Sequence, residues 1–316
     1  MSLRVLVTGG AGFIGRALCH RLVATGHTVA VLDDLSSGDA LALPQAVRFH
    51  RADICDRTAL REALLGVDAV FHLAAVSSVE ACLAAPAATS RTNLQGTVVL
   101  LEEAAGRPVI HTSSAAVYGN QKRLPIHETA TPNPISPYAV DKLGSEWHLA
   151  RAASLNGART AALRLFNVYG PGQRMGAPSA GVVARFAELA HLGAPVVIQG
   201  DGGQVRDFVH IDDVVEALVA TLGYVLRAPA GHHLCANVCS GTAVTILDLA
   251  RQLSDLAGRC APLRFAPSRL GDIRRSLGDR SRAEALIGVT PQQNLHAGLL
   301  DVLRAYDDQT FSLRAL

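Results

Sequence analysis

The chain has 316 residues, of which 49% are hydrophobic and 18% are charged, a balance typical of a globular protein large enough for two lobes. Its formal net charge is +2 and it contains no basic run, so the sequence gives no indication of nucleic-acid binding. No apolar run reaches the roughly 20 residues that a membrane span needs, and we expect no membrane partner. Because the first predicted strand begins almost at Met1, a signal peptide has no room, and we expect a cytoplasmic protein.

Short apolar runs alternate with helical patterns along the first half of the chain. The predicted strands are Leu3–Thr8, Thr28–Leu32, Val47–His50, Ala69–Leu73, Pro108–Thr112 and Ala161–Phe166. The predicted helices are one that carries Ala17 to Val23 and ends at Gly26, then Thr58–Leu65, Arg91–Ala105, and a long one from Ser136-Pro137 to about Asn156-Gly157. This alternation predicts an α/β fold with a doubly wound, parallel Rossmann sheet.

The pattern loosens beyond Gly170, where proline and glycine become frequent. We therefore expect a Rossmann domain over residues 1–166. A smaller C-terminal α/β lobe is expected over residues 167–316, with some of its segments returning to the first domain.

A glycine-rich segment separates the first predicted strand from the first helix. From Val7 to Gly15 it reads Val-Thr-Gly-Gly-Ala-Gly-Phe-Ile-Gly, which gives Gly9, Gly12 and Gly15 the spacing G-x-x-G-x-x-G. Glycines at such a turn let backbone N–H groups approach a pyrophosphate, and the helix N-terminus adds a partial positive charge. The segment therefore predicts a dinucleotide site.

Acidic residues follow the second and third predicted strands. Asp33 stands where a carboxylate can accept hydrogen bonds from the adenosine ribose and repel a 2′-phosphate, so NAD is favoured over NADP. Asp53-Ile54 stands where an adenine would lie, although a simple turn is an equally good interpretation of Asp53.

Tyr138 and Lys142 are four residues apart near the start of the long helix, so both project from one face. A free tyrosine has a pKa of about 10 and is a poor base at neutral pH. A neighbouring ammonium and a positive nicotinamide ring both favour the phenolate, and together they can supply the ~4 kcal/mol that lowers this pKa by about 3. Ser113-Ser114 closes the fifth predicted strand, where a hydroxyl can bond the same substrate oxygen or simply cap the strand.

The remaining metal-binding residue types form no convincing site. The six cysteines lie in apolar segments, and we expect reduced thiols at Cys19, Cys55, Cys82, Cys235, Cys239 and Cys260. His72 is expected to pack near the cofactor turn. His210 lies beside Asp212 and Asp213 without a further ligand, so no metal is predicted.

Together these segments resemble the extended short-chain dehydrogenases/reductases, in particular the nucleotide-sugar epimerase/dehydratase family. The matching motifs of the first half are Thr8-Gly-Gly-Ala-Gly-Phe-Ile-Gly15, His72-Leu-Ala-Ala75, Ser113-Ser-Ala-Ala-Val-Tyr-Gly119 and Tyr138-x-x-x-Lys142. Those of the second half are Arg164-Leu-Phe-Asn-Val-Tyr-Gly-Pro-Gly172, Arg206-Asp-Phe-Val-His-Ile-Asp-Asp213 and Arg269-Leu-Gly-Asp-Ile-Arg-Arg-Ser276. They follow the order of the family and span nearly the whole chain.

The resemblance implies that Tyr138 is the base, that Ser114 is its hydrogen-bonding partner and that Lys142 also binds the nicotinamide ribose. It implies that NAD is held by Gly9, Gly12, Phe13, Ile14, Gly15, Asp33, Asp34, Ser37, Gly38, Asp53, Ile54, Leu73, Ala74, Ala75, Asn93, Thr112, Tyr138, Lys142 and Phe166. It implies that a nucleotide sugar, most simply a UDP-sugar, is held by Ser77, Ser114, Tyr138, Asn167, Arg174, Arg206, Arg269, Asp272 and Ser276. From composition alone, each of these arginines is equally an exposed salt-bridge residue.

The same resemblance favours 4-epimerisation among the reactions of the family. Dehydratases and decarboxylases that resemble this chain carry an acid just before the Val-Tyr-Gly or Tyr-Gly segment, whereas this chain has Ala115 and Ala116 there. A methyl group cannot transfer a proton, so elimination lacks its catalyst. The expected reaction is therefore epimerisation through a transient 4-keto sugar.

The sugar itself is left open. Ser276 matches a position where a bulky side chain limits the space beside C2, so an N-acetylhexosamine is as acceptable as a hexose. Arg174 either contacts the diphosphate or meets a uronic-acid carboxylate. Ser77 replaces a lysine found in many galactose epimerases. A dehydratase or reductase, and a non-catalytic NAD sensor, are the alternatives.

The family is usually dimeric through the helix that carries Tyr138 and the helix before it. The apolar residues Ala139, Leu143 and Leu149 fit such an interface and fit burial inside one chain equally well. A homodimer is expected.

Overall fold

The computed structural model describes residues 2–173, 180–259, 261–268 and 272–314, with the backbone alone for 307–314. Its strands are β1 (Arg4–Thr8), β2 (Thr28–Asp33), β3 (Arg48–Arg51), β4 (Ala69–His72), β5 (Val109–Ser114), β6 (Thr160–Leu165), β7 (Asn167–Tyr169), β8 (Val196–Gln199), β9 (Val205–Arg206), β10 (Phe208–His210), β11 (His233–Val238), β12 (Val244–Thr245) and β13 (Leu263–Ala266).

The α-helices connect these strands and cover the sheets. They are α1 (Phe13–Ala24), α2 (Arg57–Ala63), α3 (Val79–Ala84), α4 (Pro86–Ser90), α5 (Gly96–Ala104), α6 (Pro137–Asn156), α7 (Val182–His191), α8 (Ile211–Arg227), α9 (Ile246–Leu256), α10 (Ser281–Ile287) and α11 (Leu295–Arg314). Two short 3₁₀ helices span Ala40–Ala42 and Ala115–Tyr118, and a π-helical turn spans Arg91–Gln95.

Seven parallel strands form the central sheet in the order β3-β2-β1-β4-β5-β6-β11. Side chains of β1 alternate between its two faces. Val5 and Val7 pack with Leu18 and Leu22 of α1 and with the apolar side of α8. Leu6 packs on the other face with residues of α2, α5 and α6. The predicted doubly wound Rossmann sheet is therefore confirmed.

The sequence predictions of single elements agree with the structure to within two residues at most strand ends. The largest difference concerns the helix predicted over Arg91–Ala105. Its first five residues form the π-helical turn, so the α-helix begins only at Gly96. Periodicity of about 3.6 residues does not detect one extra residue in a turn, and this is why the sequence indicated a single helix.

Residues beyond 167 contribute to two hydrophobic cores. β11 extends the central sheet and α8 covers it, whereas a separate core unites α7, α9 and α11 around Phe186 and Leu253. Three two-stranded sheets complete this region, namely β7 with β10, β8 with β13 and β9 with β12. The domain boundary at residue 166 stays a prediction, although β11 and α8 do return to the Rossmann sheet.

Helix α6 has the ends that the sequence predicts. The side chain of Ser136 accepts a hydrogen bond from the Ala139 amide at 3.3 Å, and Gly157 ends the helix in the left-handed conformation with φ 67°. Three residues that fitted an interface, Ala139, Leu143 and Leu149, are instead buried inside the chain.

Within the described ranges, no helix combines the length and apolarity that crossing a membrane requires. The thiols of Cys19, Cys55, Cys82, Cys235 and Cys239 are free, and Cys260 lies outside the described residues. The side chain of His210 caps α8 by accepting a hydrogen bond from the Asp212 amide at 3.3 Å. This histidine is therefore occupied by a capping role.

Leu22→Ala should lower the free energy of unfolding by about 2–5 kcal/mol, because it deletes a fully buried side chain between α1 and the sheet. Leu65→Ala is the matched control, since Leu65 is 70% exposed, and its effect should stay within about 0.5 kcal/mol. Urea unfolding followed by circular dichroism measures both. Equal losses of stability would contradict the packing described here.

Candidate active site

A cavity of about 1000 Å³ opens at the carboxyl ends of β1, β2, β4 and β5. Such an edge of an open α/β sheet is the usual ligand site. Most predicted site residues line this cavity: Gly9, Gly12, Phe13, Ile14, Gly15, Asp33, Asp34, Ser37, Asp53, Ile54, Leu73, Ala74, Ala75, Ser77, Thr112, Ser114, Tyr138, Lys142 and Phe166. Residues far apart in the chain are thus brought together around one space.

The glycine turn fits a dinucleotide pyrophosphate. Gly9 has φ +70°, and a Cβ on Gly15 would lie 2.3 Å from the Gly9 carbonyl oxygen, so the turn closes only without side chains. Helix α1 begins directly after Gly12, and no side chain caps its first amide groups. These N–H groups face a cavity and suit an anionic ligand.

Asp33 holds the glycine turn in place from the end of β2. Its carboxylate accepts hydrogen bonds from the Ala11 amide at 3.0 Å and the Leu35 amide at 2.8 Å. Burial raises the pKa of Asp33, and these two bonds oppose the rise. Asp53, at the edge of the same cavity, pairs with Arg91 at 2.5 Å, and this pairing helps to keep its pKa low against the opposing effect of burial.

Two predicted cofactor residues lie behind the lining of the cavity. Asn93 is 1% exposed, and its amide group bonds both backbone groups of Val76, at 2.7 and 3.2 Å. Gly38 packs against Ala11, where a Cβ would lie 2.7 Å from the Ala11 Cβ. Both residues therefore support segments that line the cavity, and a direct contact with NAD stays a prediction for each.

Tyr138, Lys142 and Ser114 converge at the other end of the cavity. The Lys142 Nζ lies 6.0 Å from the centroid of the Tyr138 ring and donates a hydrogen bond to the Thr112 carbonyl at 2.8 Å. The Ser114 hydroxyl is hydrogen-bonded to Tyr138 and also accepts a bond from the Ala116 amide at 3.2 Å. This is the cluster that the sequence predicted.

Burial dominates the pKa values of this cluster in the protein without a cofactor. Burial raises the pKa of Tyr138 to about 12, although the hydrogen bond with Ser114 lowers it. Burial also lowers the pKa of Lys142 to about 8, which Glu146 and Asp141 oppose. The expected lowering was assigned to Lys142 together with a positive nicotinamide ring. Without that ring, burial dominates and the pKa of Tyr138 is high.

The two adjacent serines at the end of β5 have different partners, because successive strand residues face opposite sides. Both serines line the cavity, and the Ser114 hydroxyl is the one hydrogen-bonded to Tyr138. The Ser113 hydroxyl instead forms a buried hydrogen bond with Glu146, whose carboxylate is bound by Arg164 at 2.6 Å. The sequence named Ser114 by resemblance alone, and the structure separates the two roles.

His72 belongs to a buried hydrogen-bond chain beneath the site. Its ring bonds the Thr8 hydroxyl at 2.8 Å and the Thr97 hydroxyl at 2.9 Å, and Thr97 continues to Ser145 at 3.1 Å. Burial lowers the pKa of His72 to about 3, so the ring is neutral. As expected, this histidine is packed near the cofactor turn, where it links β1, β4, α5 and α6.

Four predicted substrate residues lie outside the lining that the described residues form: Asn167, Arg206, Asp272 and Ser276. Arg206 donates to Asp272 at 2.6 Å, and burial lowers its pKa while Asp272 opposes this. Ser276 is 7% exposed, and its amide bonds the Val205 carbonyl at 3.0 Å. Arg174 and Arg269 lie outside the described residues.

Sequence reasoning missed Arg16, which lines the cavity one residue after the glycine motif. Its Nη2 donates a hydrogen bond to the Gly172 carbonyl at 2.7 Å and so joins α1 to the segment after β7. The sequence shows that Arg16 lies in the first turn of α1. It does not show the hydrogen-bond partner, which is 156 residues away in the chain. Ser36, Ser78 and Thr92 also line the cavity.

Residues 5–236 match the model of the NAD dependent epimerase/dehydratase family. A UDP-glucose 4-epimerase of Mycolicibacterium smegmatis is 40% identical over 98% of this chain and 100% of that relative. A crystal structure of UDP-glucose 4-epimerase with UDP-glucose from Thermotoga maritima is 35% identical, with a TM-score of 0.92 over 98% of this chain and 100% of that one.

A UDP-N-acetylglucosamine 4-epimerase from Methanobrevibacter ruminantium, solved with UDP-N-acetylmuramic acid, is 31% identical, with a TM-score of 0.91 over 98% of this chain and 99% of that one. The family match covers most of the Rossmann sheet and the whole Tyr138 cluster. The two related structures each cover 98% of this chain, so the similarity extends over the whole fold. The chain belongs to the NAD-dependent epimerase/dehydratase family.

Proposed function

We propose that the protein is an NAD-dependent 4-epimerase of a UDP-hexose. The observation that carries the proposal is the composition of the cavity around Ser114, Tyr138 and Lys142. Among the described residues that line it, the carboxylates are those of Asp33, Asp34, Asp39 and Asp53. Asp33 is the last residue of β2 and the other three follow β2 or β3, whereas Ser114 ends β5.

The strand order separates those carboxylates from the reacting end. Three strand spacings lie between β2 and β5, which amounts to about 14 Å. The positions where dehydratases of the family carry an acid are Ala115 and Ala116, in the 3₁₀ turn after Ser114. A 4,6-elimination needs an acid beside the sugar, and epimerisation does not. The geometry therefore favours epimerisation over dehydration.

In the proposed reaction, Tyr138 takes the proton of the sugar 4-hydroxyl, and Ser114 holds the same oxygen by a hydrogen bond. The ammonium of Lys142 stabilises the phenolate. A hydrogen bond to the Thr112 carbonyl keeps this ammonium in position. NAD⁺, when bound, would supply a hydride acceptor and a positive ring charge. Once the 4-keto sugar has rotated to present its opposite face, the hydride would return to C4 and Tyr138 would return the proton to the 4-oxygen, which gives the C4 epimer.

The UDP moiety is assigned to the region around Arg206. Its guanidinium uses Nη2 for Asp272 and Nη1 for the Val205 carbonyl, which leaves further N–H donors for phosphate oxygens. Asn167 and Asp272 are proposed to bind the same nucleotide, together with Arg174 and Arg269. The two UDP-sugar epimerases with related structures support this choice of nucleotide.

Two positions that the resemblance assigns to the sugar carry small side chains. Ser276 is buried outside the cavity lining, at the position where a bulky residue would limit the space beside C2, and Ser77 is an exposed residue of the lining. We therefore propose UDP-N-acetylglucosamine as a second substrate beside UDP-glucose, which the related N-acetylhexosamine epimerase supports. A uronic acid is the alternative that Arg174 would favour.

Purified protein incubated with NAD⁺ should interconvert UDP-glucose and UDP-galactose, with products resolved by chromatography. Parallel incubations with UDP-N-acetylglucosamine, UDP-glucuronate and a dTDP-hexose separate the alternatives. A 4-keto-6-deoxy product would identify a dehydratase instead. The absence of a C4 epimer from every UDP-sugar would refute the proposed function.

Tyr138→Phe should reduce turnover by at least about a thousandfold, because it removes the proposed base while the ring and its packing stay. Bound NAD, measured after denaturation, should be unchanged. Tyr224→Phe is the control, since Tyr224 lies on helix α8, outside the cavity lining. Its hydroxyl is hydrogen-bonded to His232 at 3.0 Å. Turnover of Tyr138→Phe close to that of the wild type would exclude the assigned base.

We also propose a homodimer that pairs through α6. This helix exposes Val140 (52%) and Trp147 (66%) two turns apart on one side, and the adjacent α3 exposes Leu83 (56%). Exposed apolar residues at this spacing suit a second copy of the same helix. The compartment we propose is the cytoplasm, for which free thiols at the five described cysteines are suitable.

Val140→Glu should halve the molar mass in light scattering, because it places a charge in the proposed helix interface. Trp147 is the only tryptophan of the chain, so its fluorescence should shift to the red in this variant as water reaches it. Leu192→Glu is the control, since Leu192 is also more than half exposed (64%) but follows α7. A wild-type chain that is already a monomer would refute the proposed dimer.

A further inference from the structure

Arg16 brings a positive charge to the glycine-turn end of the cavity. It lies in the first turn of α1, where its amide donates a hydrogen bond to the Gly12 carbonyl at 2.9 Å. It follows Phe13 by three residues, so both side chains belong to the face of α1 that lines the cavity. Because side chains of a helix point back toward its N-terminus, Arg16 is directed toward the uncapped amide groups of the turn.

Positive side chains are scarce in this cavity. Among the described residues that line it, the cations are Arg16 and Lys142. Lys142 lies at the Tyr138 end, where its Nζ donates to the Thr112 carbonyl at 2.8 Å. Arg16 is therefore the one side-chain cation of the described lining at the end where the glycine turn fits a negatively charged pyrophosphate.

The guanidinium of Arg16 has more donors than acceptors around it. It carries five N–H groups, of which one, on Nη2, donates to the Gly172 carbonyl at 2.7 Å. Its Nε is buried and has no partner among the described residues. The lining carboxylates are bonded elsewhere, to the amides of Ala11, Leu35, Ser36, Leu41 and Cys55 and to the guanidinium of Arg91. A partly shielded cation without a counter-ion is costly, and an anionic ligand removes that cost.

We propose that Arg16 binds the pyrophosphate of NAD through its guanidinium. The Gly172 carbonyl holds the guanidinium at the cavity by one hydrogen bond, and the planar fork keeps further N–H groups for phosphate oxygens. Gly172 has φ +84°, a conformation that other residues rarely adopt, so the position of this carbonyl depends on glycine.

This side chain adds a full charge to the partial charges that the amide groups of the glycine turn supply. The proposal rests on the cofactor of the family and not on the reaction proposed above.

Arg16→Met tests the proposal, because it removes the charge and keeps an unbranched stem for packing. The full-length chain, freed of nucleotide and shown to be folded by circular dichroism, is titrated with NADH and followed by fluorescence. The dissociation constant should rise about 10- to 100-fold, the loss expected for a hydrogen bond to a charged group.

Arg21→Met is the matched control. Arg21 lies on the same helix but pairs with Glu216 at 2.7 Å, outside the cavity lining. Its NADH affinity should equal that of the wild type. Arg16→Gln is a second charge-free variant, with the same expected loss as Arg16→Met, in case methionine impairs folding. Unchanged NADH affinity in a folded, charge-free variant of Arg16 would overturn the proposal.

Fragments of the cofactor locate the contact. ADP-ribose carries the pyrophosphate, whereas adenosine does not, and both compete with NADH. In Arg16→Met, the affinity for ADP-ribose should fall as much as that for NADH, and the affinity for adenosine should stay within about twofold of the wild type. A role limited to holding Gly172 would change the two fragments equally or leave both unchanged, and either result would contradict the proposal.

Ionic strength gives an independent readout of the charge. Raising the salt concentration from about 0.05 to about 0.5 M should weaken NADH binding more in the wild type than in Arg16→Met, because ions screen a guanidinium–phosphate contact. Arg16→Lys keeps the charge and should restore this salt dependence together with part of the affinity. Equal salt dependence in the wild type and in Arg16→Met would count against a contact with phosphate.

UDP separates the cofactor from the substrate as the source of the pyrophosphate. Its affinity, measured by calorimetry, should stay within about twofold in Arg16→Met, since UDP is assigned to the region around Arg206. Loss of UDP binding with unchanged NADH affinity would assign Arg16 to the substrate and refute a role toward NAD. If no sugar is epimerised, the proposed function fails, while the NADH titrations still decide the role of Arg16.

Discussion

The register between strand β5 and helix α6 fixes the geometry of the site. Three consecutive residues at the end of β5 each bind a different residue of α6. The Thr112 carbonyl accepts from Lys142, the Ser113 hydroxyl bonds Glu146, and the Ser114 hydroxyl bonds Tyr138. A shift of the helix by one residue would break all three contacts, so the site and the packing of α6 depend on the same alignment.

This alignment requires polar groups inside the core, and the structure satisfies them collectively. The chain from Thr8 through His72 and Thr97 to Ser145 joins the glycine turn to α6 without using a charge. The Glu146–Arg164 pair adds a charged anchor on the side of β6. Buried polar networks of this kind specify one arrangement of the elements because each unmade bond is costly.

Local features of the sequence predicted much of this architecture. Ser136 and Gly157 mark the ends of α6 because capping depends on neighbouring residues only. The sequence also predicted the glycine turn, because the atoms that leave no room for a side chain at Gly15 belong to the turn itself. The partners of Asn93 and Arg16 were not, because these side chains bind backbone groups brought close only by the fold.

Desolvation was the other quantity that the sequence could not supply. The spacing of Tyr138 and Lys142 placed them on one face, yet the direction of the pKa of Tyr138 follows from its burial. Burial was equally unpredictable for Ala139, Leu143 and Leu149, whose apolar character fitted an interface and a core equally well. The tertiary structure decides between such alternatives because it alone determines which faces meet water.

The near absence of lysine has a consequence for the whole molecule. Of the 29 lysines and arginines, only two are lysines. The arginines keep their charge throughout the pH range in which proteins stay folded. Arg164 and Arg206, the buried or nearly buried cations of the scaffold, therefore act as permanent charges. Among the buried cations of the described residues, Lys142 is the one that mild alkali can neutralise, because burial lowers its pKa to about 8. Under the proposed function, turnover would then fall while the arginine ion pairs keep their charge.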